Sequence, residues 1–164
     1  MSGGETIILY ECINDEAIAR LIAKTKGGRT IPRHAGGKTR VLEKAYKLAS
    51  MGKASPDQII ALIDHDPEAR WPKSHSYIRT KMEKIDEHTY VFREKHGDTY
   101  LTILIFSPRL EEWLLAVCKT LKKRVDPSAL HRNPKLFKEI LDRCGDEVQS
   151  ILRRALTGKH YHTA

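Results

Sequence analysis

The sequence has no apolar run approaching the roughly 20 residues that a membrane-crossing helix needs, which excludes an integral helical membrane protein. Cysteine is scarce as well: Cys12, Cys118 and Cys144 are odd in number, far apart and in no CxxC pair. That speaks against a disulfide framework and against a cysteine zinc site, so three small, mostly buried thiols are expected. No basic segment followed by an apolar one opens the chain at Met1-Ser2-Gly3-Gly4-Glu5, and the cytoplasm is the default compartment. Internal repeats and low-complexity stretches are missing. The histidines, His34, His65, His75, His88, His96, His131, His160 and His162, show neither HExxH nor paired zinc spacing. Gly37-Lys38-Thr39 lacks the earlier glycine of a P-loop, since that position is Pro32.

What remains is a chain of 164 residues, 40% hydrophobic and 30% charged, which is too apolar for a disordered tail and long enough for one ordinary core. Its 29 Lys and Arg against 21 Asp and Glu give a formal charge of +8, which favours a polyanionic partner.

Thr6 to Ile13 is a β-branched, apolar run with no helical period, and Asn14 then offers an N-cap with Asp15 and Glu16 beside it. Ala17, Ile18, Leu21 and Ile22 make a helical stripe that Gly27-Gly28 should stop. A brief edge strand around Pro32 and a second helix from Lys38 to about Met51 follow. Ile59-Ile60-Ala61-Leu62-Ile63 reads as a strand covered on both faces, although Ser55-Pro56-Asp57-Gln58 also matches a helix start; its Ile content favours the strand. Ser74 to Ile85 carries a weak helical pattern. Tyr90 to Arg93 and Tyr100 to Phe106 flank His96-Gly97-Asp98 as a hairpin. A helix is predicted over Arg109 to Lys122, and beyond Asp126-Pro127 the pattern is helical to the end, broken at Asn133-Pro134 and Gly145-Asp146. Strands alternating with helices and then a helical tail predict an α/β domain over residues 1–122 with a C-terminal helical extension over 123–164.

Three acids fall at predicted strand ends, where open α/β sheets build their sites: Glu11, Asp64 and Asp66. In an extended segment Asp64 and Asp66 point the same way and His65 points away, which makes His65 structural. Clustered carboxylates repel unless a cation such as Mg²⁺ or Mn²⁺ holds them, which points to phosphoryl transfer. An isolated DxD is commonly only a turn; Glu11 at the head of an E-x-x-x-D frame strengthens the functional reading. The glycine pair Gly36-Gly37 opening a helix, with Lys38 and Arg40 beside it, is a plausible anion-binding geometry. Lys119, Lys122, Lys123, Arg124, Arg153, Arg154 and Lys159 are available to track a phosphate backbone, and Trp71 and Tyr77 either stack on bases or pack in the core, the second being the commoner role.

Glu11-Cys12-Ile13-Asn14-Asp15 before a helix, then a strand ending Asp64-His65-Asp66, resembles the Toprim fold of topoisomerases, bacterial primases, RecR-type recombination proteins and OLD-family nucleases. Gly36-Gly37-Lys38-Thr39-Arg40 and Pro108-Arg109-Leu110-Glu111-Glu112-Trp113-Leu114-Leu115 are more similar to the small RloB-like and OLD-like members. The departure is Cys12, where the family usually has Gly. The resemblance implies a Toprim-like, largely parallel sheet flanked by helices. It implies a metal set of Glu11, Asp64 and Asp66, with Glu11 alternatively a general base and Glu111 assisting. Lys38 and Arg40 would then neutralise charge on the scissile phosphate, with Mg²⁺ or Mn²⁺ as cofactor. The expected function is a metal-dependent nuclease of DNA repair or defence acting on nucleic acid, DNA ahead of RNA, with an ATPase or repair or defence protein as partner and a homodimer as a further option. The competing expectations are a non-catalytic, basic nucleic-acid-binding scaffold and a stand-alone α/β protein whose acidic strand ends are only turns.

Overall fold

The computed structural model describes residues 4–119 and 125–163. The basic residues Lys122, Lys123 and Arg124, the end predicted for the helix at Lys122, and the 122/123 boundary lie outside the described residues.

Strand β1 (Glu5–Tyr10) leads into helix α1 (Ile13–Lys26), strand β2 (Arg29–His34) into helix α2 (Lys38–Ala49), and then comes strand β3 (Gln58–Asp64). A short helix α3 (Tyr77–Lys81) and three strands follow: β4 (Glu83–Asp86), β5 (Thr89–His96) and β6 (Thr99–Phe106). Helices α4 (Leu110–Val117), α5 (Pro127–Arg132), α6 (Pro134–Arg143) and α7 (Gly145–Leu156) and a two-residue strand β7 (His162–Thr163) complete the described chain. The sheet runs β2-β1-β3-β6-β5-β4, with β7 on the free stretch of β5. Strands β2, β1, β3 and β6 are mutually parallel, while β5 runs antiparallel to β6 and β4. The chain is therefore α/β, with a mixed, mostly parallel sheet flanked by helices.

Both faces of the parallel strands are covered, which is why β1 and β3 read as unbroken apolar runs. Ile8, Tyr10, Ile60 and Leu62 pack against α1, α4 and the C-terminal helices, whereas Ile7, Leu9, Ile59 and Ile63 pack under Val41, Leu42 and Ala45 of α2. Leu130, Phe137, Ile140, Val148 and Leu152 from the C-terminal helices join Ile8, Ile60 and Leu104 in a single core cluster, so the extension shares the covering of one face of the sheet with α1 and α4. Among the described residues no helix is long and apolar enough to cross a membrane.

Several expectations need correction. Cys12, not Asn14, caps α1: the Asp15 carboxylate accepts the Cys12 N–H at 3.1 Å, a local bond that starts the helix one residue before Asn14. Residues Ser74 to Ile85 are not one helix. A 3-10 turn at Lys73–His75 and the five residues of α3 give way to β4, where Glu83 and Lys84 find backbone partners in Val91 and Tyr90, so pairing overrides a weak helical period. Helix α4 stops at Val117 rather than running on. The tail is not helical to the end, because β7 pairs with Glu94 and Lys95. Asp126-Pro127 and Asn133-Pro134 do more than break the pattern: each supplies a side-chain cap followed by Pro in the first turn of a new helix. Cys118 and Cys144 form a disulfide, and only Cys12 is a free thiol. Spacing had hidden the pair, since α4 and the junction of α6 with α7 meet only in the packed core.

Candidate functional site at the carboxyl end of the sheet

After β1 the chain moves to β2 on one side and then crosses to β3 on the other, so the strand order reverses between β1 and β3. Open α/β sheets bind ligands at the carboxyl ends of strands flanking such a point. Glu11 follows the last residue of β1, and Asp64 is the last residue of β3.

The two carboxylates lie within each other's field. Burial and then Asp64 push Glu11 up to about 7, against the opposing pull of Lys38. Burial and then Glu111 push Asp64 up to about 6, while the Leu110 N–H, donated from the first turn of α4 at 3.0 Å, holds it down. Asp15, which sequence reasoning placed only in a helix first turn, belongs to the same cluster. It is 1% exposed, and burial, Asp64 and Glu11 hold its carboxyl well above the usual range. One of its oxygens accepts from the Cys12 N–H and thiol, and the other has no partner. Cys12 itself is pushed up to about 12 by burial and Asp15, which makes it a poor nucleophile at neutral pH.

Asp66 reaches this group by a different route from the extended pairing expected. Its φ is 45°, so the chain leaves the strand and turns. The turn is gripped from the backbone: the His65 N–H donates to the Phe106 carbonyl and the Asp66 N–H to the Pro108 carbonyl, both at 2.7 Å. The His65 carbonyl accepts from Trp71 Nε1 at 2.9 Å and Lys38 Nζ at 3.2 Å, and Lys38 lies 4.5 Å from the Trp71 ring centroid. Asp66 faces Arg109 at 3.6 Å. His65 lies against Trp71 and Tyr90 with its Nδ1 2.9 Å from Ser107 Oγ. Trp71 is buried, and its N–H secures the turn, a role the sequence offered no signal for.

Of the two anion-binding candidates, Lys38 sits in the fields of Asp66, Glu11 and Asp64. Arg40 does not join them. It is exposed and lies over Gly36, whose φ of 102° leaves room that a Cβ would fill 2.9 Å from the arginine chain. Glu111 is buried beside Asp64, and one of its oxygens accepts from Asn14 Nδ2 at 2.9 Å. Thus Glu11, Asp64, Asp66, Glu111 and Lys38 are brought to one end of the sheet, with Asp15 and Asn14 added.

Among the described residues, no three His, Cys, Asp or Glu side chains converge closely enough to cage a metal ion. The donor chemistry nevertheless fits a hard divalent cation. The donors are carboxylate oxygens, their mutual repulsion is only partly offset by Lys38, by Arg109 beside Asp66 and by the Leu110 N–H on Asp64, and the second Asp15 oxygen is buried without a partner. Mg²⁺ is characteristically bound by one or two carboxylates while keeping several waters, which does not require a closed protein cage. No protein-family model, curated protein or solved structure matches the chain.

Proposed function

We propose that the protein is a Toprim-like, Mg²⁺- or Mn²⁺-dependent nuclease, or a related phosphoryl-transfer enzyme acting on nucleic acid. The observation that carries this reading is the placement of Glu11 and Asp64 at the strand ends across the β1/β3 switch point, Glu11 raised by burial and Asp64, Asp64 raised by burial and Glu111, and both faced by Lys38. Glu11, Asp64 and Asp66 would hold the ion, with Asp15 behind them. A divalent ion bound there supplies Lewis acidity and acidifies a water. Lys38, held against Trp71 and the His65 carbonyl beside these carboxylates, would supply the counter-charge to an anionic phosphate oxygen. Glu11 could alternatively serve as the general base, in which case Asp64 and Asp66 would hold the ion. The net charge of +8 and the exposed Arg33, Arg70, Lys73, Arg79 and Arg109 supply a basic setting for a polyanion.

Incubation with supercoiled plasmid, single-stranded DNA and RNA in Mg²⁺, Mn²⁺ or EDTA tests the proposal, with Asp66→Asn run beside the wild type. Metal-dependent cleavage that Asp66→Asn abolishes is the expected result. Cleavage at wild-type level by that variant removes the site from consideration. A protein that binds nucleic acid without cleaving it, indifferent to Asp64 and Asp66, is instead the non-catalytic scaffold.

A further inference from the structure

The proposed site would meet a substrate from both sides of the sheet, and the second side is supplied by the C-terminal helices. Asn14, 2% exposed, donates through one amide group to Glu111 at 2.9 Å and to the Leu130 carbonyl of α5 at 3.2 Å. These two hydrogen bonds pin the last turn of α5 to the first turns of α1 and α4. The next residue is His131, whose Nδ1 lies 3.6 Å from the same Glu111 oxygen while its side chain is 71% exposed. The charge that faces His131 is thus buried and braced, and the imidazole stands out into solvent. At 3.6 Å the Glu111 carboxylate is a counter-charge to an imidazolium rather than a hydrogen-bond partner, and an imidazolium carries a second donor, the N–H at Nε2.

Helix α2, which carries Lys38, covers one face of the sheet, and α4 and α5 cover the other. Lys38 and His131 therefore approach the strand ends of β1 and β3 from opposite faces, with Asp64 between α2's lysine and the Glu111 that holds the histidine. We propose that His131 is a substrate-contacting residue, placing Nε2 on a phosphate of a nucleic-acid backbone that lies across the carboxyl end of the sheet, and that Glu111 and Asn14 are its positioning residues. On this view the C-terminal helices complete the site rather than merely flank it. The inference rests on this end of the sheet being the nucleic-acid site, and it does not need cleavage to occur.

The test measures binding of a short fluorescein-labelled single-stranded oligodeoxynucleotide to the full chain by anisotropy, in EDTA at pH 5.5, where an ordinary imidazole is mostly protonated, and across a salt series. His131→Ala is expected to bind about tenfold more weakly, the loss of one hydrogen bond to a charged group. It should also flatten the slope of log affinity against log salt by about 0.7, which corresponds to one phosphate contact on a single strand. His131→Lys should restore the slope, a rescue that a purely structural histidine would not allow. Glu111→Gln should weaken binding in the wild-type background and have little further effect beside His131→Ala. An unchanged slope in His131→Ala, or no binding of the oligonucleotide by the folded wild type, overturns the inference. The slope is read in EDTA, so a protein that shows this His131-dependent slope but never cleaves in Mg²⁺ or Mn²⁺ loses the nuclease reading and keeps this one.

Discussion

Glu11→Gln should make the metal-free protein more stable at alkaline pH, the reverse of what loss of a native side chain usually does. The carboxyl of Glu11 is pushed from the ordinary 4.5 to about 7, first by burial and then by Asp64. A raised carboxyl means that the folded state holds the proton more tightly than the unfolded chain does. Stability contributed by this group is therefore complete below about pH 4.5 and is lost as pH rises through about 7. The conversion from pKa to free energy gives an upper bound of about 3 kcal/mol for that loss. Because Glu11 is only partly buried, screening reduces it to about 2 kcal/mol. For a chain of this size that corresponds to roughly 4 to 8 °C in Tm. Thermal unfolding in EDTA, followed by circular dichroism from pH 4 to pH 8, should show the two proteins coinciding at the acid end and the glutamine variant melting higher at the alkaline end. Addition of Mn²⁺ should raise the wild type more than the variant, since it compensates the same repulsion. A variant equal to or less stable than the wild type at pH 8 in EDTA would refute the view that these carboxylates are held together against their own repulsion.

Other consequences are open to direct measurement. Trp71→Phe keeps a buried ring but removes the N–H donor to the His65 carbonyl; it should cost about 1 kcal/mol in chemical denaturation and weaken Mn²⁺ binding by calorimetry, because the Asp64–Asp66 turn loses a clamp. Unchanged Mn²⁺ affinity would dissociate Trp71 from the site. Cys144→Ala should lower stability by about 3 kcal/mol under oxidising conditions, as expected for opening a cross-link that spans a sequence separation of 26, and by much less in excess dithiothreitol. Equal losses in both buffers would show that the bridge does not form in solution. Trp113→Phe should cost about 1 to 2 kcal/mol, since a fully buried indole and its 2.7 Å bond to Thr89 Oγ1 are both replaced by a smaller ring; a neutral effect on denaturant midpoint would contradict the packing described.

Local chemistry was enough to locate β1, β3 and the β5/β6 hairpin, because unbroken β-branched runs and a Gly-Asp turn leave few alternatives for the backbone. It was enough, too, for Glu11, Asp64 and Lys38, since residues that end a parallel strand or open the following helix are delivered to the sheet's carboxyl end by topology alone. What the sequence could not disclose depends on contacts between segments distant along the chain. Residues Glu83–Asp86 are a strand because β5 offers them partners, and His162–Thr163 pair with the same strand from the far end of the chain. The Cys118–Cys144 bridge exists because α4 and the α6/α7 junction pack in one core. Asp15 became part of the acidic cluster, and Arg40 stayed out of it, through burial and backbone geometry that residue type does not encode. His131 carried no spacing signal at all. Its place beside Glu111 follows from the buried amide of Asn14, which joins three helices through bonds spanning 97 and 116 residues of chain. Secondary structure is written in short-range pattern, but the company each charge keeps is set by long-range packing, and it is there that the site was decided.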